Sequence, residues 1–273
     1  MIDLGSLISR LGALEPQYQE SEPFPHIHLE NFLDESVAQG LEAAFPARAS
    51  ESWTQWKHFN ENKCGLTKRD HIPEKLGQLI DEFNSPDFTT WLSRLTGIPN
   101  LIADPSLEGG GLHQSGRGGF LNIHADFTVH HHQPTWRRRV NVILYLNDGW
   151  QADWGGAIEL WDKQMTRCEV KVIPRLNNVL IFNTEEDSYH GFPDPMQCPE
   201  GVSRKSVALY YYTAEAKPNA RATTYKARPA DASGKAAMIW ADNQALTAYS
   251  KIKAKLGLSD DFATRVLGLF SRK

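Results

Sequence analysis

At 273 residues, with 41% hydrophobic and 23% charged side chains, the chain has the composition of an ordinary globular protein of one large domain or two small ones, long enough to bury a core without staples. Its net charge of −4 argues against a general affinity for nucleic acid or anionic membrane, and no apolar run approaches the roughly 18 residues needed to span a bilayer. Three cysteines, Cys64, Cys168 and Cys198, are widely spaced, odd in number and without a CxxC pair, which points to a reducing, cytoplasmic setting; the first five residues lack the basic start and apolar core of a signal peptide.

In chain order, residues 3–14 are weakly amphipathic and read as helix. Residues 23–32 (PFPHIHLENF) alternate and read as a strand entering a turn, after which Asp34, Glu35 and Ser36 cap a helix to about Ala44. Residues 53–60 are aromatic and alternating, a strand. Residues 74–84 and 86–96 carry apolar positions at helical spacing on either side of Ser85-Pro86. From residue 101 to about 228 the character changes to short β-rich runs separated by Gly, Pro, Asn and Asp: 119–124, 138–146, 157–161, 169–173, 178–182, 191–192 and 205–213. That spacing predicts an all-β sandwich or barrel and not a parallel α/β sheet. The tail returns to helix over 237–249 and 260–270, with residues 231–234 as the break. The expected organisation is one domain over 1–230 and a helical extension over 231–273.

The chemistry concentrates at Leu121-Asn122-Ile123-His124-Ala125-Asp126-Phe127. Residues i and i+2 of a strand share a face, so His124 and Asp126 project side by side and can share a metal ion. The leading third ligand is His190, which follows the β-run 178–182 after a short loop. Two imidazoles and one carboxylate on one face of a metal form the arrangement of non-heme Fe(II) oxygenases. His130-His131-His132 points three ways before Gln133-Pro134 and reads as a solvated loop near the site mouth. Arg204 and Ser206 share one face of a strand while Lys205 faces the other way; a buried guanidinium there suits a carboxylate.

With these motifs in order, the chain resembles the 2-oxoglutarate- and Fe(II)-dependent dioxygenases, specifically the prolyl 4-hydroxylase-like branch, over roughly residues 105–215. Besides His124-x-Asp126, His190 and Arg204-x-Ser206, residues 138–150 (RRVNVILYLNDGW within WRRRVNVILYLNDGW) resemble that branch's R..T..YLN..W strand. Residues 155–161 (GGAIELW) resemble the GG.L.L strand that follows. The resemblance implies a mainly β fold with flanking helices: a double-stranded β-helix, or jelly-roll, buttressed by the N-terminal helices. It implies Fe(II) on His124, Asp126 and His190, with O2 and 2-oxoglutarate as co-substrates and ascorbate as the reductant in vitro. The distal carboxylate of 2-oxoglutarate would meet Arg204 and Tyr145, with Asn141 and Ser206 nearby. The strand of Tyr145 puts Asn141, Ile143 and Tyr145 on one face; without the resemblance Tyr145 would read as a core aromatic. Arg204 follows His190 by a longer gap than in many members, which leaves Lys205 as a fallback. Asp126 argues for hydroxylation, because related halogenases carry a small residue in its place.

The substrate is not written in the sequence. A prolyl residue of a peptide or protein is the family's best-known target; a small metabolite, free amino acid or glycan precursor is the alternative, and a non-catalytic cupin-like binding module the remaining one. His113, Arg117 and Trp154 are the candidate substrate contacts. Residues 109–119, rich in glycine, read as a flap over the site or a surface hairpin.

Overall fold

The computed structural model describes residues 1–50 and 52–256. The elements in chain order are α1 (Leu4–Gln19), β1 (His26–Leu29), α2 (Glu35–Ala43), β2 (Thr54–His58), β3 (Glu61–Leu66), α3 (Glu74–Phe83), α4 (Pro86–Thr96), β4 (Ile102–Ala103), β5 (Gly111–Gly116), β6 (Phe120–Ala125), β7 (Trp136–Tyr145), β8 (Ile158–Trp161), β9 (Cys168–Val172), β10 (Asn178–Asn183), β11 (His190–Phe192), β12 (Ser203–Ala214), β13 (Thr224–Tyr225) and α5 (Ser233–Leu256). The strands pair antiparallel in the order β1-β10-β7-β12-β5-β3-β6-β11-β8-β9, with β2 on β3, β4 on β12 and β13 on β6. This is the expected jelly-roll with flanking helices.

Alternation decides which side each strand shows to which layer. On β7, Val140, Val142 and Leu144 join Val179 and Ile181 of β10 and Val207 and Leu209 of β12 in one core with Leu11, Leu79, Phe88 and Leu92 of the helices. The opposite register, Tyr145, Leu180 and Phe182, meets Ile158 and Leu160 of β8 inside the roll. Strands buried on both faces explain why these runs are nearly continuous in apolar residues. The N-terminal helices therefore cover one sheet from outside, and the space left between the sheets is the inward register of β7 and β12.

The helix boundaries follow from caps. The Ser85 hydroxyl accepts the Phe88 amide, Pro86 occupies the first turn of α4, and Gly97 ends the helix at φ 70°. The Asp3 carboxylate accepts the Ser6 amide to start α1. That helix runs through Pro16, five residues beyond the expected end, because Tyr18 extends the buried stripe of Leu7, Leu11 and Leu14. At α2 the expected helix forms, but Asp34 makes no side-chain cap bond.

All seven β-runs expected between residues 119 and 213 coincide with β6 to β12. Four strands come as a correction: β3 and the two-residue strands β4 and β13 fall outside the expected runs, and β5 lies inside the segment expected to be a flap or surface hairpin. β5 is instead an interior strand between β12 and β3. Its glycines permit close backbone approach: Gly111 sits at φ 86°, and a Cβ there would come within 2.4 Å of the Leu66 carbonyl oxygen. The tail forms α5, packed on β13, while the helix expected over 260–270 lies outside the described residues. Among the described residues no helix is long and apolar enough to cross a membrane.

Candidate metal centre and adjoining cavity

His124 is on β6 and Asp126 just past its end; β11 lies antiparallel beside β6 with His190 directly opposite His124. This register brings the three expected ligands together. His124 Nε2 is 3.5 Å from Asp126 Oδ1, His190 Nε2 is 3.6 Å from Asp126 Oδ2, and one ligand atom of each residue lies within 4.8 Å of the others. The Nδ1 atoms of His124 and His190 are each 2.9 Å from a backbone carbonyl, those of Asn122 and Ser188. A carbonyl only accepts, so each Nδ1 carries the proton and each Nε2 turns its lone pair toward the shared space. Burial, with the neighbouring His124, lowers the pKa of His190 to about 3, which keeps that ring neutral. The donor set fits a divalent ion with an open face.

Asp126 is held ionised. Burial pushes its pKa up, but Arg138 and the two histidines outweigh that and set it well below the usual carboxylate range. Arg138 Nη2 is 3.0 Å from Asp126 Oδ2, and the Asn141 amide donates to the same oxygen at 2.9 Å. Arg138 in turn donates to Asn141 Oδ1 through Nε and Nη2, with its guanidinium 3.4 Å over the Tyr210 ring. The sequence reading gave Arg138 no role, and parity explains why. Val140 pairs Tyr211 while Arg138 pairs Tyr212, so Arg139 is an extra residue in β7 at that point. The bulge turns Arg138, which strict alternation places with Val140 on the helix side, toward the site. Arg139 instead lies 3.8 Å from Glu185 and from Glu215.

A cavity opens beside the triad, and its wall includes Lys63, His113, Asn141, Ile143, Arg204, Ser206 and Tyr210. At its far end Arg204 donates Nε to the Gly156 carbonyl at 2.8 Å and Nη2 to the Tyr145 hydroxyl at 3.3 Å, and packs over the Phe192 ring. Burial lowers its pKa. Among the described residues Arg204 meets no carboxylate. Lys205 faces the other way and pairs with Glu42 at 3.1 Å, so the fallback for the anion is not realised.

Of the expected substrate contacts, His113 lines the cavity, its ring neutral because burial and then Lys63 lower its pKa to about 3. Two expectations are corrected. Arg117 does not line this cavity, because its guanidinium is committed to the carbonyls of Gln197 and Cys198. Trp154 packs edge-on to Trp150 in a separate cluster with Met196. The three-histidine run is exposed at His131 and His132, as expected, and corrected at one position. His130 is buried between Asp104 and Glu108 and is not in a solvated loop. Lys63 was missed; its strand, β3, was itself unread.

Comparison with known proteins agrees with this geometry. Residues 110–212 match the model of the 2OG-Fe(II) oxygenase superfamily. Prolyl 3-hydroxylase OGFOD1 of Mus musculus is 24% identical over 199 residues, covering 71% of this chain and 33% of the relative, so the chain spans about a third of that protein. Among solved structures, a Pseudomonas putida prolyl-4-hydroxylase is similar with a TM-score of 0.51 at 18% identity, over 78% of this chain and 98% of that one. A Trichoplax adhaerens prolyl hydroxylase, solved in complex with a hypoxia inducible factor oxygen degradation domain peptide fragment, is similar with a TM-score of 0.55 at 18% identity, over 77% and 91%. At these identities the structural likeness speaks for the fold alone. Taken with the matched segment and the His-Asp-His set inside it, residues 110–212 form the core of a 2OG-Fe(II) oxygenase domain, a superfamily that uses Fe(II), 2-oxoglutarate and O2.

Proposed function

We propose that the chain hydroxylates a C–H bond of a prolyl residue in a peptide or protein, with Fe(II) held by His124, Asp126 and His190 and 2-oxoglutarate anchored on Arg204. The observation that carries the 2-oxoglutarate site is Arg204 itself. A guanidinium buried without a carboxylate partner is costly, and the cost is relieved when a ligand brings the anion. The prolyl target is supported by similarity to the mouse prolyl 3-hydroxylase and to the P. putida and T. adhaerens prolyl hydroxylases.

When bound, the iron with 2-oxoglutarate and O2 supplies the oxidant for hydroxylation. The chain's own part is positioning. The Asn122 and Ser188 carbonyls fix both imidazoles. Arg138 and Asn141 occupy Asp126 Oδ2, which leaves Oδ1 toward His124 for the metal. Arg204 and the Tyr145 hydroxyl bind and orient the distal carboxylate, with Ser206 and Asn141 lining the space between the two ends. Ile143, Ile158 and Phe192 supply the apolar part of an otherwise polar wall. His113 is the substrate contact we retain. The three thiols, free in this structure, support a reducing compartment such as the cytoplasm.

The test supplies Fe(II), ascorbate and 2-oxoglutarate with a library of proline-containing peptides. Succinate formation coupled to a product heavier by one oxygen, located on proline by fragmentation, is expected. Turnover confined to free amino acids or small metabolites would overturn the prolyl assignment, and absence of both metal binding and succinate formation would make the chain a binding module.

A further inference from the structure

The C-terminal helix reads in sequence as an extension beyond the oxygenase domain, yet two adjacent residues of it are linked, through intervening residues, to two sides of one metal ligand. Asn243 accepts the Tyr225 amide on Oδ1 at 2.9 Å and donates Nδ2 to the Tyr225 carbonyl at 2.8 Å, the exchange that a neighbouring strand would make. It thereby pins β13 against β6, where Tyr225 stands directly opposite His124 with the two rings 5.4 Å apart. Asp242 accepts from the Asn60 amide and lies 3.1 Å from His58 Nδ1. Asn60 then takes both the Asn122 side-chain amide at 3.0 Å and its backbone amide at 2.9 Å. The Asn122 carbonyl is the group that holds His124 Nδ1–H. Asn60 and Asn122 are fully buried, so this chain of hydrogen bonds has little competition from water.

Apolar packing does not account for the contact as well. Ile239 is buried, but Met238 and Trp240 beside it are 54% and 65% exposed. Among the described side chains of α5, the polar pair Asp242–Asn243 joins Ile239 against the barrel, and its hydrogen bonds lead through Tyr225 to the ring face of His124 and through Asn60 and Asn122 to its Nδ1–H. We infer that Asp242 and Asn243 are positioning residues for the iron ligand His124, and that α5 is part of the metal centre's support. Partners that hold the outer nitrogen of a ligating histidine fix its tautomer and orientation, and their loss weakens metal affinity by about 10- to 100-fold.

The inference rests on His124 being an iron ligand, and the experiment separates the two. Mn(II) is titrated into the full, metal-free chain and the free ion is followed by electron paramagnetic resonance, which needs no turnover; a melting curve taken alongside fixes a temperature at which every variant is folded. Asp242→Ala and Asn243→Ala are expected to raise the Mn(II) Kd about tenfold. Asp242→Asn, which keeps an acceptor for Asn60, is expected to retain most of the affinity. Arg228→Ala, which cuts the tie to Asp194 and Asp231 near the root of α5 without touching Asn60 or Tyr225, is the control and stays near wild type. Unchanged affinity in both alanine variants, or an equal loss in the control, overturns the role of α5. Should Asp242→Ala fail to fold, Asn243→Ala against the control decides. Unchanged affinity in His124→Ala overturns the ligand assignment, and the inference with it.

Discussion

Among the described residues two clusters combine buried histidine with carboxylate, and one of the two is a candidate metal centre. At His124, Asp126 and His190 each imidazole spends Nδ1–H on a backbone carbonyl and presents Nε2 to a common point. At His130 both nitrogens are already taken, Nε2 by Asp104 at 3.4 Å and Nδ1 by Glu108 at 3.0 Å. Burial opposes protonation there, but the two carboxylates outweigh it and raise the His130 pKa to about 9. The residue types are the same; what differs is whether the charge is closed within the protein. His130 is a cation already neutralised by its neighbours. The triad keeps two imidazoles with one anion, and at the other end of the cavity Arg204 keeps a cation that, among the described residues, meets no carboxylate. Closed clusters hold the fold, and open ones take ligands.

Substitutions can break that contrast. The largest effect is expected from Asp126→Ala, which removes the only anionic ligand and leaves Arg138 buried and unpaired. Mn(II) binding should weaken at least about 100-fold and 2-oxoglutarate decarboxylation fall to background; undiminished succinate release in this variant would remove Asp126 from the ligand set. Next comes Arg204→Ala. A buried charge contact of this kind is worth about 2–5 kcal/mol, so the 2-oxoglutarate requirement should rise by about 30-fold or more, whereas Lys205→Ala should leave it within about twofold. The reverse pattern in steady-state kinetics would move the anion site by one residue.

The closed cluster should respond in stability, not in ligand binding. Glu108→Gln removes one of the two acids that hold His130 and should cost about 3 kcal/mol, read as a lower midpoint in urea with the Mn(II) affinity unchanged. A change in that affinity would mean the two clusters are coupled. The smallest effect is with pH. The folded-state pKa of His130, about 9, lies above its ordinary 6.5, so its contribution is complete below 6.5 and is lost as pH rises through 9. His113 runs the other way: its folded-state pKa of about 3 lies below 6.5, so its contribution is complete above 6.5 and is lost as pH falls toward 3. Metal-free protein should therefore be most stable near neutral pH, with the alkaline loss reduced in His130→Gln. An alkaline limb as steep in that variant as in the wild type would refute the charged His130.

The contrast also marks where sequence reading worked. The ligands were legible because strand periodicity is local: i and i+2 share a face wherever the strand sits, and a short apolar run ending in His-x-Asp carries that geometry with it. The same argument placed Asn141, Ile143 and Tyr145 on one face, as the cavity wall and Tyr145's bond to Arg204 bear out. It failed at Arg138, because one extra residue in β7 reverses the parity and nothing local announces the bulge. It failed at residues 109–119, where glycines that permit close strand packing have the composition of a mobile loop. For His130, whose partners Asp104 and Glu108 lie more than twenty residues upstream, the run of three histidines looked solvated because nothing nearby in sequence neutralises it.

The sequence by itself therefore determined seven consecutive strands from β6 to β12, the inward face of β7 beyond its bulge, and the candidate metal ligands with the arginine that faces them across the cavity. The tertiary structure alone decided which charges are closed and which left open, that Arg138 holds Asp126, and that a helix more than a hundred residues downstream stands behind His124. The physical reason is range. Periodicity is a property of neighbouring residues, whereas charge compensation and outer hydrogen bonds are made between segments that only the folded sheet brings together.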